Sequence, residues 1–176
     1  VAFRFGSERP WELTVEIAVI SDTHMPRGDR RLSDGCIERL RAADLIVHGG
    51  DLVELSVLHE LRGYGPVVAV HGNVDDAAVS AALPAAATVE ARGARIALVH
   101  DGGAARGRLA RLRARFPDTD AVVFGHSHTP LHEQDEYGFQ IFNPGSPTER
   151  RRAPARTMGI ARARAGRLTF ELVALD

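Results

Sequence analysis

Short apolar runs alternate with longer mixed stretches through most of the chain, and the two kinds of segment carry different periodicities. The runs Val15 to Ile20, Leu45 to Val47, Pro66 to Val70, Ala94 to Val99 and Ala121 to Phe124 predict strands buried on both faces, since a half-exposed strand alternates apolar with polar residues. Between them, apolar residues spaced three and four apart predict helices over Arg30 to Ala42, Glu54 to Arg62, Asp75 to Ala82 and Ala104 to Phe116. The last sets Leu109, Leu112 and Phe116 on one face and arginines on the other. Beyond Phe124 the style changes. Leu131 to Asp135, Phe139 to Phe142, Arg156 to Ala163 and Leu168 to Leu172 read as strands joined by turns at Gly138 and Gly166, which points to a mostly antiparallel second sheet. The pattern predicts an α/β fold: a two-sheet β-sandwich, mixed parallel and antiparallel, flanked by helices. Residues 15–176 make one domain, preceded by a flexible or loosely packed extension over residues 1–14.

Composition narrows the class. A length of 176 residues suits one core that needs no staples, and 44% hydrophobic with 26% charged residues is ordinary for a globular domain. Cys36 is the only cysteine, which excludes an intramolecular disulfide and a thiolate zinc cluster and points to a reducing cytoplasm. No apolar run approaches the roughly 20 residues of a membrane-spanning helix, and Val1 to Glu16 lacks the layout of a signal peptide. A net charge of −1 gives no general attraction to nucleic acid or anionic lipid. All the basic side chains other than histidine are arginine. Arginines 106, 108, 111, 113 and 115 read as a solvated helix face rather than a nucleic-acid patch, because no aromatics are interleaved with them.

The chemistry lies in where the polar residues fall. Asp22 and His24 follow the first run, Asp51 the second, Asn73 the third, His100 the fourth, and His126 with His128 the fifth. In an open α/β sheet the carboxyl ends of strands share a rim, and ligands bind there. Oxygen and nitrogen donors without sulfur suit divalent manganese, iron, nickel or zinc. Seven donors exceed the needs of one ion. Two ions typically ~3.5–4 Å apart would use them, with Asp51 the natural bridge, and such a pair polarises a phosphoryl group and lowers the pKa of water. Residues two apart in an extended segment project to one side, so Asp22 with His24, or His126 with His128, can clamp one site or straddle two. Glycines before Asp51, Asn73 and His126 permit tight turns at a crowded site.

Ser21-Asp22-Thr23-His24, Gly49-Gly50-Asp51, His71-Gly72-Asn73-Val74-Asp75, Val99-His100-Asp101, Gly125-His126-Ser127-His128-Thr129-Pro130 and Asn143-Pro144-Gly145-Ser146 resemble, in order and spacing, the motifs of the calcineurin-like metallophosphoesterases. Within that family they are most similar to the small YfcE-type phosphodiesterase branch. The resemblance runs from about Ile17 to the end. It implies that Asp22, His24, Asp51 and His128 surround one metal, and that Asp51, Asn73, His100 and His126 surround the other. Manganese is the favoured ion, and Asn73 also touches the substrate phosphate. Where larger relatives carry a histidine after the Gly-Asn pair, this chain has Val74, so an acidic leaving group or an acid supplied elsewhere, Asp75 being one candidate, is expected. Asp101-Gly102-Gly103 likewise replaces the branch's Gly-His.

Among the remaining histidines, His48, His59 and His132 read as packing or surface residues. His71, beside the expected ligand Asn73, reads as a partner to the phosphate or the metal. Arg150 and Arg151, after the Asn-Pro-Gly-Ser turn, are candidates to hold a substrate phosphate through paired hydrogen bonds. The expected protein is a dimetal phosphoesterase acting on a small phosphate ester through a metal-activated hydroxide. A diester is the first choice and a monoester the second, and nucleic acid is an improbable but open substrate. The rival is a scaffold, because a eukaryotic relative in the retromer complex keeps this fold with an eroded metal site and works by binding partners. The sequence leaves the oligomeric state open.

Overall fold

The computed structural model describes the backbone of residues 2–4 and residues 14–175 in full. The strands are β1 (Ala2–Arg4), β2 (Val15–Ile20), β3 (Leu45–His48), β4 (Val67–Ala69), β5 (Ala86–Ala91), β6 (Ala94–Val99), β7 (Ala121–Val123), β8 (Leu131–Gln134), β9 (Gln140–Asn143), β10 (Thr157–Arg164) and β11 (Arg167–Ala174). The helices are α1 (Asp34–Ala42), α2 (Leu55–Arg62), α3 (Ala77–Ala82) and α4 (Arg108–Arg115).

Alternation along the buried strands builds the layers. On β2, Ile17 and Val19 point into a core between two sheets, whereas Ala18 and Ile20 point the other way, onto helices. On β6, Ile96 and Leu98 join the same inter-sheet core, whereas Ala97 and Val99 pack with Leu112 of α4. The result is four layers. Helices α1 to α3 cover one sheet through Cys36, Leu40, Val57, Leu58, Leu61 and Val79, and α4 covers the other. Each such large apolar side chain, fully buried, is worth roughly 1.5–3 kcal/mol. Cys36 belongs to this packing: burial pushes its thiol up to about 12, so it is inert.

The strand order corrects one expectation. The C-terminal strands do not make a separate sheet; they divide between the two. One sheet runs β11-β10-β2-β3-β4 and the other β1-β5-β6-β7-β9-β8. Strand β10 pairs antiparallel with β2, and β9 pairs parallel with β7. Apolar pattern marks a strand but not its neighbour, because pairing is decided by connections and not by local sequence. Strand β5 was not expected either. Its alanines favour helix, and it is a strand because it forms a hairpin with β6 across Arg92 and Gly93, both at positive φ (48° and 85°). The expected extension over 1–14 lies largely outside the described residues, although Ala2–Arg4 pairs parallel with β5.

Helix starts come later than the apolar pattern suggests, and local caps explain why. Ser33 accepts the Cys36 N–H at 3.3 Å and Asp76 accepts the Val79 N–H at 2.7 Å, which fixes α1 and α3. Gly107, at φ 70°, stops the α4 pattern from extending back to Ala104. The arginines of α4 are engaged with the protein itself: Arg111 donates to Gly102 O and Ala104 O, Arg108 to Gly103 O, and Arg113 pairs with Asp135. Among the described residues no helix is long and apolar enough to cross a membrane.

Gly159 of β10 sits directly against Phe142 of β9 in the facing sheet. A Cβ there would meet the ring of Phe142 on β9 and come within 3.4 Å of Val19 Cβ. Gly159→Ala should therefore cost about 1–3 kcal/mol by overpacking, read as a lower denaturation midpoint at unchanged m-value. An unchanged midpoint would show that the sheets have slack at this point.

Candidate metal centre

The loops after β2 and β3 continue the pairing of the strands that lead into them. Asp22 N donates to Gly50 O at 2.9 Å, His24 N donates to Asp51 O at 3.0 Å, and Met25 bridges Val53. The ladder holds its residues in left-handed conformations: φ is 56° at Asp22, 48° at His24 and 62° at Asp51. His126 and His128 in the loop after β7 are also left-handed, at 66° and 54°. Such conformations cost energy in non-glycine residues and persist where surrounding contacts impose them, as they do at functional sites. Asp22 and His24 thus reach one side through left-handed turns rather than the extended segment expected from their spacing. Gly50 and Gly125 make room. A side chain at Gly50, itself at φ 97°, would meet His100 Nδ1 at 2.7 Å, and one at Gly125 would strike Ser21 and Asp22.

All seven expected donors come together. Asp22, His24 and His128 form one buried group, and Asp22, Asp51 and His100 form another. Nε2 of His24 lies 3.1 Å from Nε2 of His128, and Nε2 of His128 lies 3.3 Å from Asp22 Oδ1. Asp51 Oδ2 sits between His24 Nε2, at 3.4 Å, and His100 Nε2, at 3.3 Å. Asn73 Oδ1 stands 3.0 Å from His100 Nε2 and 2.8 Å from His126 Nδ1. His126 and His128 therefore straddle two places. The donors also come from both sheets, three strands in one and two in the other, and not from a single rim.

Supporting contacts orient the rings. His100 Nδ1–H donates to Gly49 O at 2.9 Å, which leaves Nε2 as the lone pair facing the cluster. His48, expected to be a packing or surface residue, is a buried clasp: its Nδ1 accepts the Gly50 N–H at 3.1 Å, so Nε2–H faces Thr23 Oγ1 at 3.1 Å. Burial lowers its pKa to about 3, which keeps it neutral. A histidine closing an otherwise apolar strand was the signal in the sequence. The Asn-Pro-Gly-Ser turn does lie against the cluster, with Asn143 Nδ2 donating to Gly125 O at 2.8 Å and Ser146 Oγ to Asp22 O at 2.8 Å. Thr148 Oγ1 donates to Thr23 O at 2.8 Å.

Other expected residues fare differently. Asp75 is not available as an acid, because its carboxylate accepts the backbone N–H groups of Gly72 (2.6 Å), Val53 (2.6 Å) and Asp51 (3.2 Å). It is a brace for the loop that carries Asp51. Val74 N donates to Asp51 Oδ1 at 3.0 Å. His71 is half-buried, with Nδ1 3.4 Å from Gly72 O, and its side chain makes no hydrogen bond to the seven donors among the described residues. Arg151 Nε lies 3.5 Å from Glu149 Oε1, and its charge is felt at His24 and His128. Arg150 is exposed and has no side-chain partner among the described residues. Glu149, which the sequence did not single out, places Oε2 3.9 Å from His128 Nδ1.

The cluster fits a divalent cation. Asp22 is fully buried, and burial pushes its carboxyl up to about 7, the mark of a charge without a compensating cation. Burial also lowers His24, and takes His128 down to about 4, so both imidazoles keep free lone pairs. Burial disfavours the Asp51 carboxylate as well, yet the adjoining His100 and the hydrogen bond from Val74 N outweigh it and hold the group ionised. Convergent carboxylate, amide and neutral imidazole groups are what borderline divalent ions take.

Comparison with known proteins agrees. The calcineurin-like phosphoesterase superfamily domain matches residues 15–166. A probable metallophosphoesterase of Methanothermobacter thermautotrophicus is 34% identical over 134 residues, which cover 75% of this chain and 77% of the relative. Vacuolar protein sorting 29 of Cryptosporidium parvum superposes with a TM-score of 0.78 at 19% identity, over 93% of this chain and 92% of that one. Vps29 of Entamoeba histolytica, solved as a zinc complex, gives 0.72 at 21% identity, over 91% and 99%. These two structures speak for the fold alone, whereas the domain match and the archaeal relative reach further: the chain belongs to the calcineurin-like phosphoesterase superfamily.

Proposed function

We propose that the protein is a two-cation phosphoesterase whose preferred substrates are phosphodiesters. The observation that carries this is the position of Asp51 Oδ2, one oxygen facing His24 Nε2 on one side and His100 Nε2 on the other. Asp22, His24, Asp51 and His128 would hold one ion, and Asp51, Asn73, His100 and His126 the other, manganese being the first choice for both. When bound, such a pair supplies Lewis acidity, polarising phosphoryl oxygens and easing the deprotonation of water near neutral pH. The chain's own groups do the rest. Asn73 is exposed and its Oδ1 is faced by two imidazoles, so Nδ2 is left to donate to a phosphoryl oxygen. Arg151, beside Glu149 and acting on His24 and His128, adds positive charge at the rim.

The diester preference follows from what the acid position lacks. Val74 has no proton to give, and Asp75 is occupied by three backbone donors. Without a dedicated acid, an ester whose leaving group is already a weak base turns over faster. A pure scaffold role is disfavoured by the complete donor set, since seven converging ligand groups serve no packing purpose. A small phosphate ester fits the family, and a reducing cytoplasm fits the single buried cysteine.

Exhaustive chelation should abolish hydrolysis of bis(p-nitrophenyl) phosphate, and added manganese should restore it. Asp51→Asn should lower kcat/KM by about a hundredfold or more, with a matching loss of bound metal measured on the purified protein. Hydrolysis that survives chelation would sink the mechanism. A second test concerns Asp22 without metal. An unfolded Asp ionises near 3.8, whereas the folded residue keeps its proton to about 7. Between those values the folded state binds more protons, so this residue's contribution to stability falls as pH rises and stays low above pH 7. Metal-free Asp22→Asn should therefore gain on metal-free wild type from pH 4 to 7, by on the order of 2–4 kcal/mol. Thermal melts that move in parallel across that range would refute the assignment of Asp22 as an uncompensated charge.

A further inference from the structure

Beside the cluster lies an open cavity of about 490 Å³ bounded by the loop from Arg27 to Arg31, by Thr148 and by Arg156. Four guanidinium groups, of Arg27, Arg30, Arg31 and Arg156, line it against one carboxylate, Asp29. The side chains of Arg27 and Arg31 make no hydrogen bond or ion pair among the described residues. Such unpartnered like charges raise each other's energy, and an anion placed among them relieves it. The volume falls within the range of small-ligand sites.

The cavity is tied to the metal centre by two links. Arg30 Nη2 contacts Glu149 Oε2 at 3.2 Å, and that same oxygen lies 3.9 Å from His128 Nδ1. One carboxylate thus separates the arginine cavity from a donor of the cluster. Thr148, on the cavity wall, holds the carbonyl of Thr23 between Asp22 and His24.

We propose that this cavity is a second anion subsite, and that the substrate carries a further phosphate group beside the one that is cleaved. As a statement about substrate, this rests on the phosphoesterase reading above. The fork of an arginine matches two oxygens of a phosphate, which is why arginine rather than lysine suits such a wall. These side chains are largely exposed, so the attraction weakens with salt.

Two measurements test it. The first compares the p-nitrophenyl ester of thymidine 5′-monophosphate with the same ester bearing a 3′-phosphate, in wild type and in the double variant Arg27→Gln, Arg31→Gln. The 3′-phosphate should lower KM about tenfold or more in wild type, and the double variant should bring the ratio close to one. The second titrates chelator-treated, desalted protein with pyrophosphate in low salt, followed by calorimetry. Wild type should bind it at least about tenfold more tightly than the double variant. If neither ester is hydrolysed but pyrophosphate binding depends on the two arginines, the subsite stands and the esterase reading fails. Pyrophosphate binding indifferent to the variant, or a KM ratio that the 3′-phosphate does not move in an active enzyme, overturns the subsite.

Discussion

The centre depends on one constraint, the parallel pairing of β2 with β3 carried past the ends of both strands. The bonds from Asp22 N to Gly50 O and from His24 N to Asp51 O keep two loops in register where loops ordinarily separate. Holding non-glycine residues at positive φ is unfavourable, and the ladder, the His48 clasp and the Asp75 brace together supply what opposes it. The strain turns Asp22, His24 and Asp51 inward. Without it, a carboxylate pair and their imidazoles would face solvent as ordinary loop residues.

The electrostatics follow from the same burial. Removing Asp22 from water raises its pKa, while neighbouring His24 and His128 are pushed toward neutrality. Shifts of opposite sign push both kinds of group toward their uncharged forms, leaving free imidazole lone pairs beside a carboxyl that a cation would allow to ionise. Asp51 differs because it is hydrogen-bonded in its ionised form, and so it keeps its charge down to about pH 2.

Much of this was legible in the sequence because the donors are polar residues placed at the ends of apolar runs. Val15–Ile20 and Ala94–Val99 were readable as strands from composition alone, and Asp22 and His100 as polar groups just past their carboxyl ends. The partition into sheets was not readable, since β10 beside β2 and β9 beside β7 are long-range pairings with no local signature. Strand β5 was hidden by alanines that favour the other secondary structure. The fate of Asp75 was hidden for a related reason: a carboxylate that accepts three backbone N–H groups and one that gives up a proton look identical as a letter. His48 and Glu149 act through second contacts, which spacing does not encode.

The division of donors between the layers has a mechanical consequence. Asp22, Asp51 and Asn73 follow strands of one sheet, whereas His100, His126 and His128 follow strands of the other. Elsewhere the two sheets meet largely through apolar side chains, as at the Gly159 and Phe142 contact. A cation gripped from both sides would act as a rivet through that sandwich. Loading the centre would thus tie the two sheets to each other directly, so that its stabilising effect would reach both layers and not only the rim.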